Sequence, residues 1–492
     1  MDKKLRKNIL KGSAATTIGT ISANLFNFLT VMVLARYVSK DDLGIYVLVI
    51  VISNMFNILG GFGLDLTLVK NIASKKEEES QNILLPVLNI SAIGSLLISI
   101  VFIVTGRYIM HLFDDRIYHY IWYILAIFTL ANYRDLFYKL MQGLNQFKQY
   151  SIVNVSSSAF RIFVLVIFLL VTKIDIRVLL IIEILCTLQP LVHQLFVIQF
   201  KKYMRIKPTW ETYKKIIGFS FPLYLHDLVD FLTGRMNIFI IAAYLNLASI
   251  ANFDIARKAP IALSKMFGSF IIVYFPNLSA LFSEGNKKTA VGLIEKSIGI
   301  FSISMVFLVS FSFLFRNELT VLLFSPRYAG VSLAFALLML NFLMSGLNSL
   351  MGYAFTSAGH SSVPVRISSV GAVISIGLAF LFVPIYGYMG AVYALLAMNI
   401  VSIFLNYSFM VKYSINPLLK SFLKPSALLL IAPVSLLFNG QFFLPLNSLL
   451  FISILFLGWI ISEDLRSTLG LLFSYIKKYN WGKTYNNKKY KT

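Results

Sequence analysis

The stretch ILLPVLNISAIGSLLISIVFIVT (83–105) contains no charged residue and decides the fold class. An α-helix rises about 1.5 Å per residue, so a segment of this length crosses roughly 30 Å of hydrocarbon. Similar segments recur along all 492 residues, of which 58% are hydrophobic and only 13% are charged. Average soluble domains carry about 25% charged residues. The composition therefore predicts an all-α integral membrane protein and excludes a soluble enzyme.

The apolar segments predict about fourteen transmembrane helices. The predicted spans are 14–35, 45–69, 83–105, 119–139, 151–172, 178–200, 216–242, 251–280, 293–315, 331–355, 366–383, 388–411, 424–439 and 446–462. The first follows a basic N-terminus, MDKKLRKNILKG (1–12), but it is full length and polar-striped, so we interpret it as a span and not as a cleaved signal. Cys186 is the only cysteine, which excludes an internal disulfide.

Lysine and arginine lie mainly in alternate loops and in both tails. By the positive-inside rule, this distribution predicts that the two termini lie in the cytoplasm. It also accounts for the net charge of +23, which in a soluble protein would favour nucleic-acid binding. We therefore expect membrane lipids and no nucleic acid as partners.

The richest basic loop, 201–215, follows the sixth span and is predicted to join two six-helix lobes. The N-lobe would be 1–200 and the C-lobe 216–411, followed by two further spans in 412–465 and a basic cytoplasmic tail at 466–492. The two lobes look weakly alike in sequence, which predicts parallel repeats related by an axis along the membrane normal.

Polar residues at helical spacing mark the faces of these spans that avoid lipid. Helix packing through small and polar side chains and the lining of a cavity both produce this spacing, so both interpretations stay open. The polar and charged residues of these stripes that we predict to line a cavity are Asn24, Asn27, Arg161, Asp227, Asp230, Arg235 and Asn341.

The eighth span carries the strongest charge signal, namely Asp254, Arg257, Lys258 and Lys265. A charged side chain at mid-bilayer costs about 2.5–3.5 kcal/mol on insertion scales. Asp254 can neutralise one neighbour within a helical turn, and acids of the seventh span are candidates for the others. A closed ion-pair cluster and cations that extend to the interface are the alternatives to a cationic cavity for an anionic substrate, which we favour.

Other intramembrane residues are less informative. Glu183 has no evident partner, and Arg134 and Asp135 are adjacent, so we do not expect them to pair. Pro222, Pro260 and Pro276 are predicted to break the seventh and eighth spans, because proline removes a backbone hydrogen bond.

Several motifs are missing from the sequence. No GxxxxGK[ST] indicates ATP binding, and no paired cysteines or histidines indicate a metal. No long outer loop offers the acid–base pair of a glycan polymerase. We therefore expect no enzymatic activity and no cofactor, with transport driven by the substrate gradient or by H⁺ or Na⁺.

Five stretches together resemble polysaccharide repeat-unit (O-antigen type) flippases of the multidrug/oligosaccharidyl-lipid/polysaccharide exporter superfamily. They are 34–73, 219–242, 253–286 with FPNLS (275–279), FSPRYAG (324–330) and VPIYGYMGAVYALLAMNI (383–400). The resemblance implies a MATE-like fold in a bacterial plasma membrane and alternating access of an undecaprenyl-diphosphate-linked oligosaccharide. It assigns the cavity cations to Arg257 and Lys258, with Arg161 and Arg235 placed less securely.

The resemblance also implies a polysaccharide polymerase and a chain-length protein as partners. A related class, the peptidoglycan-precursor flippases, usually carries several arginines on its first two spans. This chain has only Arg36 there, which argues against that assignment. A cation-coupled multidrug exporter of the same fold and a membrane glycan polymerase or ligase are the alternative functions.

Overall fold

The computed structural model describes residues 3–74, 83–111, 113–198, 209–415, 426–431 and 443–461, and these residues form helices and connections without a β-strand. The α-helices are α1 (Lys3–Tyr37), α2 (Lys40–Gly61), α3 (Leu64–Ser74), α4 (Leu84–His111), α5 (Ile121–Gly143), α6 (Phe147–Val171), α7 (Ile176–Val197), α8 (Trp210–Tyr244), α9 (Leu247–Ser283), α10 (Lys287–Leu314), α11 (Arg316–Leu323), α12 (Ser332–Ser357), α13 (Ser362–Tyr386), α14 (Tyr388–Lys412) and α15 (Phe443–Ile461). Short 3-10 helices lie at Asp115–Tyr120, Pro326–Val331 and Leu428–Leu430.

The predicted fold class is confirmed. Within the described residues, 10 helices are long and apolar enough to cross a membrane, or 11 if the bent helix α9 is included. Each predicted span except 424–439 coincides with one helix or, in the case of 45–69, with two. Helices α5 and α15 match predicted spans but are not among the 10 or 11 helices that meet the criteria of length and apolarity. Most of 424–439 lies outside the described residues, as do 201–208 of the predicted interlobe loop and the basic tail. The division into two six-helix lobes therefore stays a prediction.

The second predicted span is two helices in the structure. Helix α2 ends at Gly61, and Phe62 and Gly63 follow in the left-handed region with φ of 48° and 66°. A Cβ on Gly63 would lie 2.6 Å from the backbone nitrogen of Tyr224 on α8, so only glycine allows this close approach. The break starts α3 in a new direction and places Asp65 in its first turn.

The predicted proline breaks are only partly observed. Pro222 lies inside α8, which continues as one helix from Trp210 to Tyr244, so the expected break there is wrong. Helix α9 bends between Gly268 and Val273, and not at Pro260. Pro276 follows the bend closely, and its missing N–H and the clash of its ring with the carbonyl of residue 272 explain the bend.

The described residues of 1–269, 322–331 and 372–394 form one compact unit, which we call unit 1. Within it α1 packs along α6, and α5 packs against α7, α2 and α3. One hydrophobic cluster of this unit joins α3, α4 and α5 through buried leucines such as Leu64, Leu84 and Leu136. Some polar groups in the core pair with one another, and Asn132 donates to Ser91 and Ser95 at 3.0 and 2.6 Å.

The described residues of 270–321, 332–371 and 395–492 form a second unit, unit 2. Here α10 packs against α12 and against α15. Gly346 allows α12 to approach α10 closely, because a Cβ at this position would overlap the Phe301 ring of α10. On the other side of α10, the Asn447 amide of α15 donates to the Leu314 carbonyl at 2.7 Å.

Candidate functional site

Four basic side chains and one carboxylate gather in unit 1, where α8 lies beside the first part of α9. Asp254 is 2% exposed, and the Lys258 Nζ lies 2.7 Å from its Oδ2, one helical turn away. Arg257 and Arg235 also act electrostatically on the Asp254 carboxylate, which places Arg235 of α8 beside this face of α9. Lys265 lies within electrostatic reach of Lys258 and Arg235. We call these five residues the cationic cluster.

The cationic cluster keeps a net positive charge, because Asp254 is its single carboxylate. Among the described residues, no carboxylate lies within ion-pair distance of Arg235 or Arg257. Arg257 instead lies over the ring of Phe253, 5.6 Å from its centroid, and it is close enough to Arg235 for the two guanidinium groups to repel each other. Guanidinium groups held in this way retain N–H donors in a geometry suited to a carboxylate or phosphate.

Arg161, predicted to face the cavity, has a protein partner. Its Nη2 donates to Glu183 Oε1 at 2.9 Å and its Nη1 donates to Oε2, while the Tyr46 hydroxyl donates to the same Oε2 at 2.7 Å. This triad joins α2, α6 and α7, and the side chains of Arg161 and Glu183 are only 23% and 9% exposed. Glu183 is the partner that the sequence did not identify. The bidentate pairing engages both terminal nitrogens of the guanidinium, and together with Tyr46 it ties three helices together.

A second polar network connects α2, α3 and α5. Arg134 Nε donates to Asp135 Oδ1 at 2.8 Å, and Asn57 Nδ2 donates to Asp135 Oδ2 at 3.0 Å. The expectation that Arg134 and Asp135 do not pair is wrong, because the long arginine side chain reaches back across the helix surface. Asp65 on α3 is within electrostatic reach of both Asp135 and Asp227. Asp227 of α8 therefore belongs to this acidic region of unit 1.

Asn341 lies in unit 2, in a ladder of asparagines between α12 and α14. Its Oδ1 accepts from Asn399 Nδ2 at 2.8 Å, Asn399 Oδ1 accepts from Asn348 Nδ2 at 2.9 Å, and Asn348 Oδ1 accepts from Asn406 Nδ2 at 2.9 Å. Such side-chain bonds join neighbouring helices in membranes. For this stripe, the packing interpretation describes the observed contacts.

Three other predicted residues stand apart from these networks. Asn24 and Asn27 are half-buried on α1, and Asp230 is exposed on α8. The Asn24 Nδ2 is buried and has no hydrogen-bond partner among the described residues. A buried donor in this state favours a bound water or a polar ligand group. Across the described ranges, no His, Cys, Asp and Glu side chains are grouped to hold a metal ion.

An open apolar cavity of about 560 Å³ lies between α4 and α8 in unit 1. Its lining includes Phe62, Ile90, Ile93, Leu97, Trp210, Ile217 and Phe221. At one point Asn89 Nδ2 donates to the Tyr213 hydroxyl at 2.7 Å. The sequence did not predict this cavity, because its walls come from apolar side chains that any lipid-facing helix carries. The lining suits a hydrocarbon chain and not a charged group.

The number and length of the apolar helices define a multi-pass membrane protein. Residues 9–282 match the family model described as "Polysaccharide biosynthesis protein". Because this match covers more than half of the chain, the protein belongs to that family. A search of curated proteins finds no match.

Solved transporters share the fold. The lipid II flippase MurJ in an inward closed conformation matches with a TM-score of 0.68 and 16% identity, covering 92% of this chain and 99% of that chain. A multidrug resistance MATE transporter of the MOP superfamily in an inward-facing conformation gives 0.64 and 15%, covering 84% and 98%. A MATE transporter from Vibrio cholerae gives 0.57 and 14%, covering 83% and 98%. The family model confirms the predicted polysaccharide family. The identities to the solved transporters are so low that they show the fold alone.

Proposed function

We propose that this protein flips undecaprenyl-diphosphate-linked oligosaccharide units from the cytoplasmic to the outer face of a bacterial plasma membrane, by alternating access, for surface polysaccharide. The observation that carries the proposal is the cationic cluster of α8 and α9. The polysaccharide family and the fold shared with a lipid II flippase support the same cargo class. Both termini would then lie in the cytoplasm.

The charge balance of the cationic cluster argues for an anionic cargo. Each unpaired charge within a bilayer costs about 2.5–3.5 kcal/mol, and Asp254 can offset only one of the four cations. A diphosphate supplies several acceptor oxygens and at least two negative charges. Arg235 and Arg257 would hold it through bidentate hydrogen bonds, while Lys258 and Lys265 would add less directional attraction.

Other parts of unit 1 suit the rest of such a cargo. The unpartnered Asn24 amide and its neighbour Asn27 could donate to sugar hydroxyls. The apolar cavity between α4 and α8 could hold part of a polyprenyl chain. Arg161, which Glu183 already neutralises, would hold helices together and not contact the diphosphate unless the pair opened. A polymerase and a chain-length protein would use the product on the outer face.

The test is a double variant, Arg235→Gln with Arg257→Gln, in cells that depend on this protein for surface polysaccharide. We expect normal amounts of the variant in the membrane, loss of polysaccharide and trapping of lipid-linked units on the cytoplasmic face. Lys288→Gln, at an exposed site in the first turn of α10, is the matched control and should behave as the wild type. Normal polysaccharide in the double variant would refute the proposed site.

A cation-coupled multidrug exporter of the same fold is the second candidate. The acidic region of Asp65, Asp135 and Asp227 favours it, because proton or Na⁺ exchange needs neighbouring carboxylates. Expression in a drug-sensitive host decides between the two functions. Drug resistance that depends on Asp65, with unchanged polysaccharide, would support the exporter. In the proposed flippase, the same acidic region would serve H⁺ or Na⁺ coupling.

A further inference from the structure

A second cavity, of about 610 Å³ and with a polar lining, lies in unit 1. It is found where α1 ends and α2 begins, beside the connection from α6 to α7. The topology predicted from charge distribution places these ends on the outer face of the membrane. The charged residues in its lining are Lys40, Asp42, Lys173 and Arg327. We call it the outer basic cavity.

The outer basic cavity has three cations and one carboxylate in its lining. The Asp42 carboxylate has a neighbouring hydrogen-bond partner, because its Oδ2 accepts from the Ser39 hydroxyl at 2.7 Å. The backbone N–H of Asp42 donates to the Ser39 Oγ at 3.0 Å. For the cations, no carboxylate among the described residues lies within ion-pair distance. Lys40 and Arg327 are near enough for their charges to interact.

Two of these cations, Arg327 and Lys40, are held by contacts that leave most of their N–H donors free. Arg327 Nη1 donates to the Val38 carbonyl at 2.6 Å, which leaves other guanidinium N–H groups for a ligand. Lys40 Nζ lies over the ring of Tyr328, 5.1 Å from its centroid. Arg36 Nη2 donates to the Leu322 carbonyl and so fixes the segment that supplies Arg327. These contacts hold Lys40 and Arg327 at the cavity, while Lys173 is exposed at its edge.

Such a concentration of positive charge is unusual on this face. The positive-inside rule removes lysine and arginine from outer loops, and the chain follows it closely elsewhere. Of the other cations predicted to be outside, Arg116 is neutralised by Asp114 at 2.9 Å. Lys40, Lys173 and Arg327, by contrast, come from three separate segments and meet at one cavity. Three cations that meet at a cavity with a single carboxylate leave an excess of positive charge, which indicates an anionic ligand.

We propose that the outer basic cavity binds the phosphate or diphosphate head group of a lipid at the outer face of the membrane. If the proposed function holds, the cavity receives the diphosphate after it leaves the cationic cluster. The tetrahedral oxygens of a phosphate accept from both the arginine fork and the lysine ammonium groups. The half-open position of the cavity, beside helix ends and a loop, suits a head group whose lipid tail stays in the bilayer.

The experiment uses the full-length protein in nanodiscs of neutral lipid, titrated with inorganic pyrophosphate. The background variant Arg235→Gln with Arg257→Gln removes both arginines of the cationic cluster and leaves the outer basic cavity unchanged. Adding Lys40→Gln and Lys173→Gln should weaken the remaining binding about 10- to 30-fold, because two charges near the ligand are lost. Adding Arg107→Gln, an exposed predicted outer cation away from the cavity, should change it less than about twofold.

The outcomes separate this proposal from the proposed function. Equal pyrophosphate affinity with and without Lys40 and Lys173 overturns the outer site, whereas the comparison of wild type with the background variant tests the cationic cluster alone. Thermal unfolding of each variant checks that the fold is intact, and Lys173→Gln alone, at an exposed position, should still weaken binding. Competition by phosphatidylglycerol nanodiscs would identify bulk lipid as the ligand source, and its absence would identify the diphosphate cargo.

Discussion

Replacing Glu183 by glutamine should destabilise unit 1 strongly, because it leaves the Arg161 guanidinium buried without its counter-charge. Removing one partner of a buried ion pair typically costs about 3–5 kcal/mol. The structure places this pair in that class, since the Glu183 and Arg161 side chains are 9% and 23% exposed. Tyr46→Phe keeps the ion pair, removing the hydroxyl that donates to Glu183 and accepts from Arg161 at 3.3 Å, and should cost about 1–2 kcal/mol.

Denaturant unfolding in detergent, followed by circular dichroism, measures these differences. Replacing both Arg161 and Glu183 by methionine should return stability to within about 1 kcal/mol of the wild type, because neither charge is then left alone. The control is Glu211→Gln, whose partner Lys215 is 77% exposed and whose loss should cost less than about 1 kcal/mol. A Glu183→Gln variant as stable as this control would refute the reasoning. If the paired methionine variant still exports polysaccharide, Arg161 acts in structure and not on the cargo.

Three further predictions test other contacts. Gly44→Ala would push a Cβ into the backbone of Leu247 and should lower the free energy of unfolding by about 1–3 kcal/mol, whereas Gly61→Ala, with no atom within 4 Å, should change it by less than about 1 kcal/mol. Asn399→Ala breaks the asparagine ladder on both sides and should cost about 1–2 kcal/mol in the same measurement. Asp254→Asn removes the carboxylate of the cationic cluster, so pyrophosphate titration should show about fivefold tighter binding together with a lower unfolding midpoint; weaker binding would contradict the charge balance.

The positions of the helices could be predicted from sequence because hydrocarbon imposes the same length on every span. Residues that end or bend a helix were less predictable. Phe62 adopts a left-handed conformation, which no pattern indicates for phenylalanine, and it splits one predicted span into two helices. Proline did not reliably predict a helix break, since α8 continues through Pro222.

The charged residues of the site were identifiable because ionisable groups are rare inside spans, but their partners were not. Lys258 and Arg257 both lie within a helical turn of Asp254, so the sequence predicted that the carboxylate neutralises one of them, and the structure shows that it contacts Lys258. Glu183 and Arg161 come from different helices, and only packing decides that they meet. The outer basic cavity was missed for the same reason, because Lys40, Lys173 and Arg327 lie far apart in sequence.

The most direct measurement of the central claim is the transfer of a labelled undecaprenyl-diphosphate oligosaccharide across proteoliposome membranes. With the wild-type protein, we expect the lipid to become accessible on the opposite leaflet, and with Arg235→Gln and Arg257→Gln together we expect the rate to fall to that of protein-free vesicles. Transfer by the double variant at the wild-type rate would contradict the claim that these unneutralised arginines hold the diphosphate as it crosses.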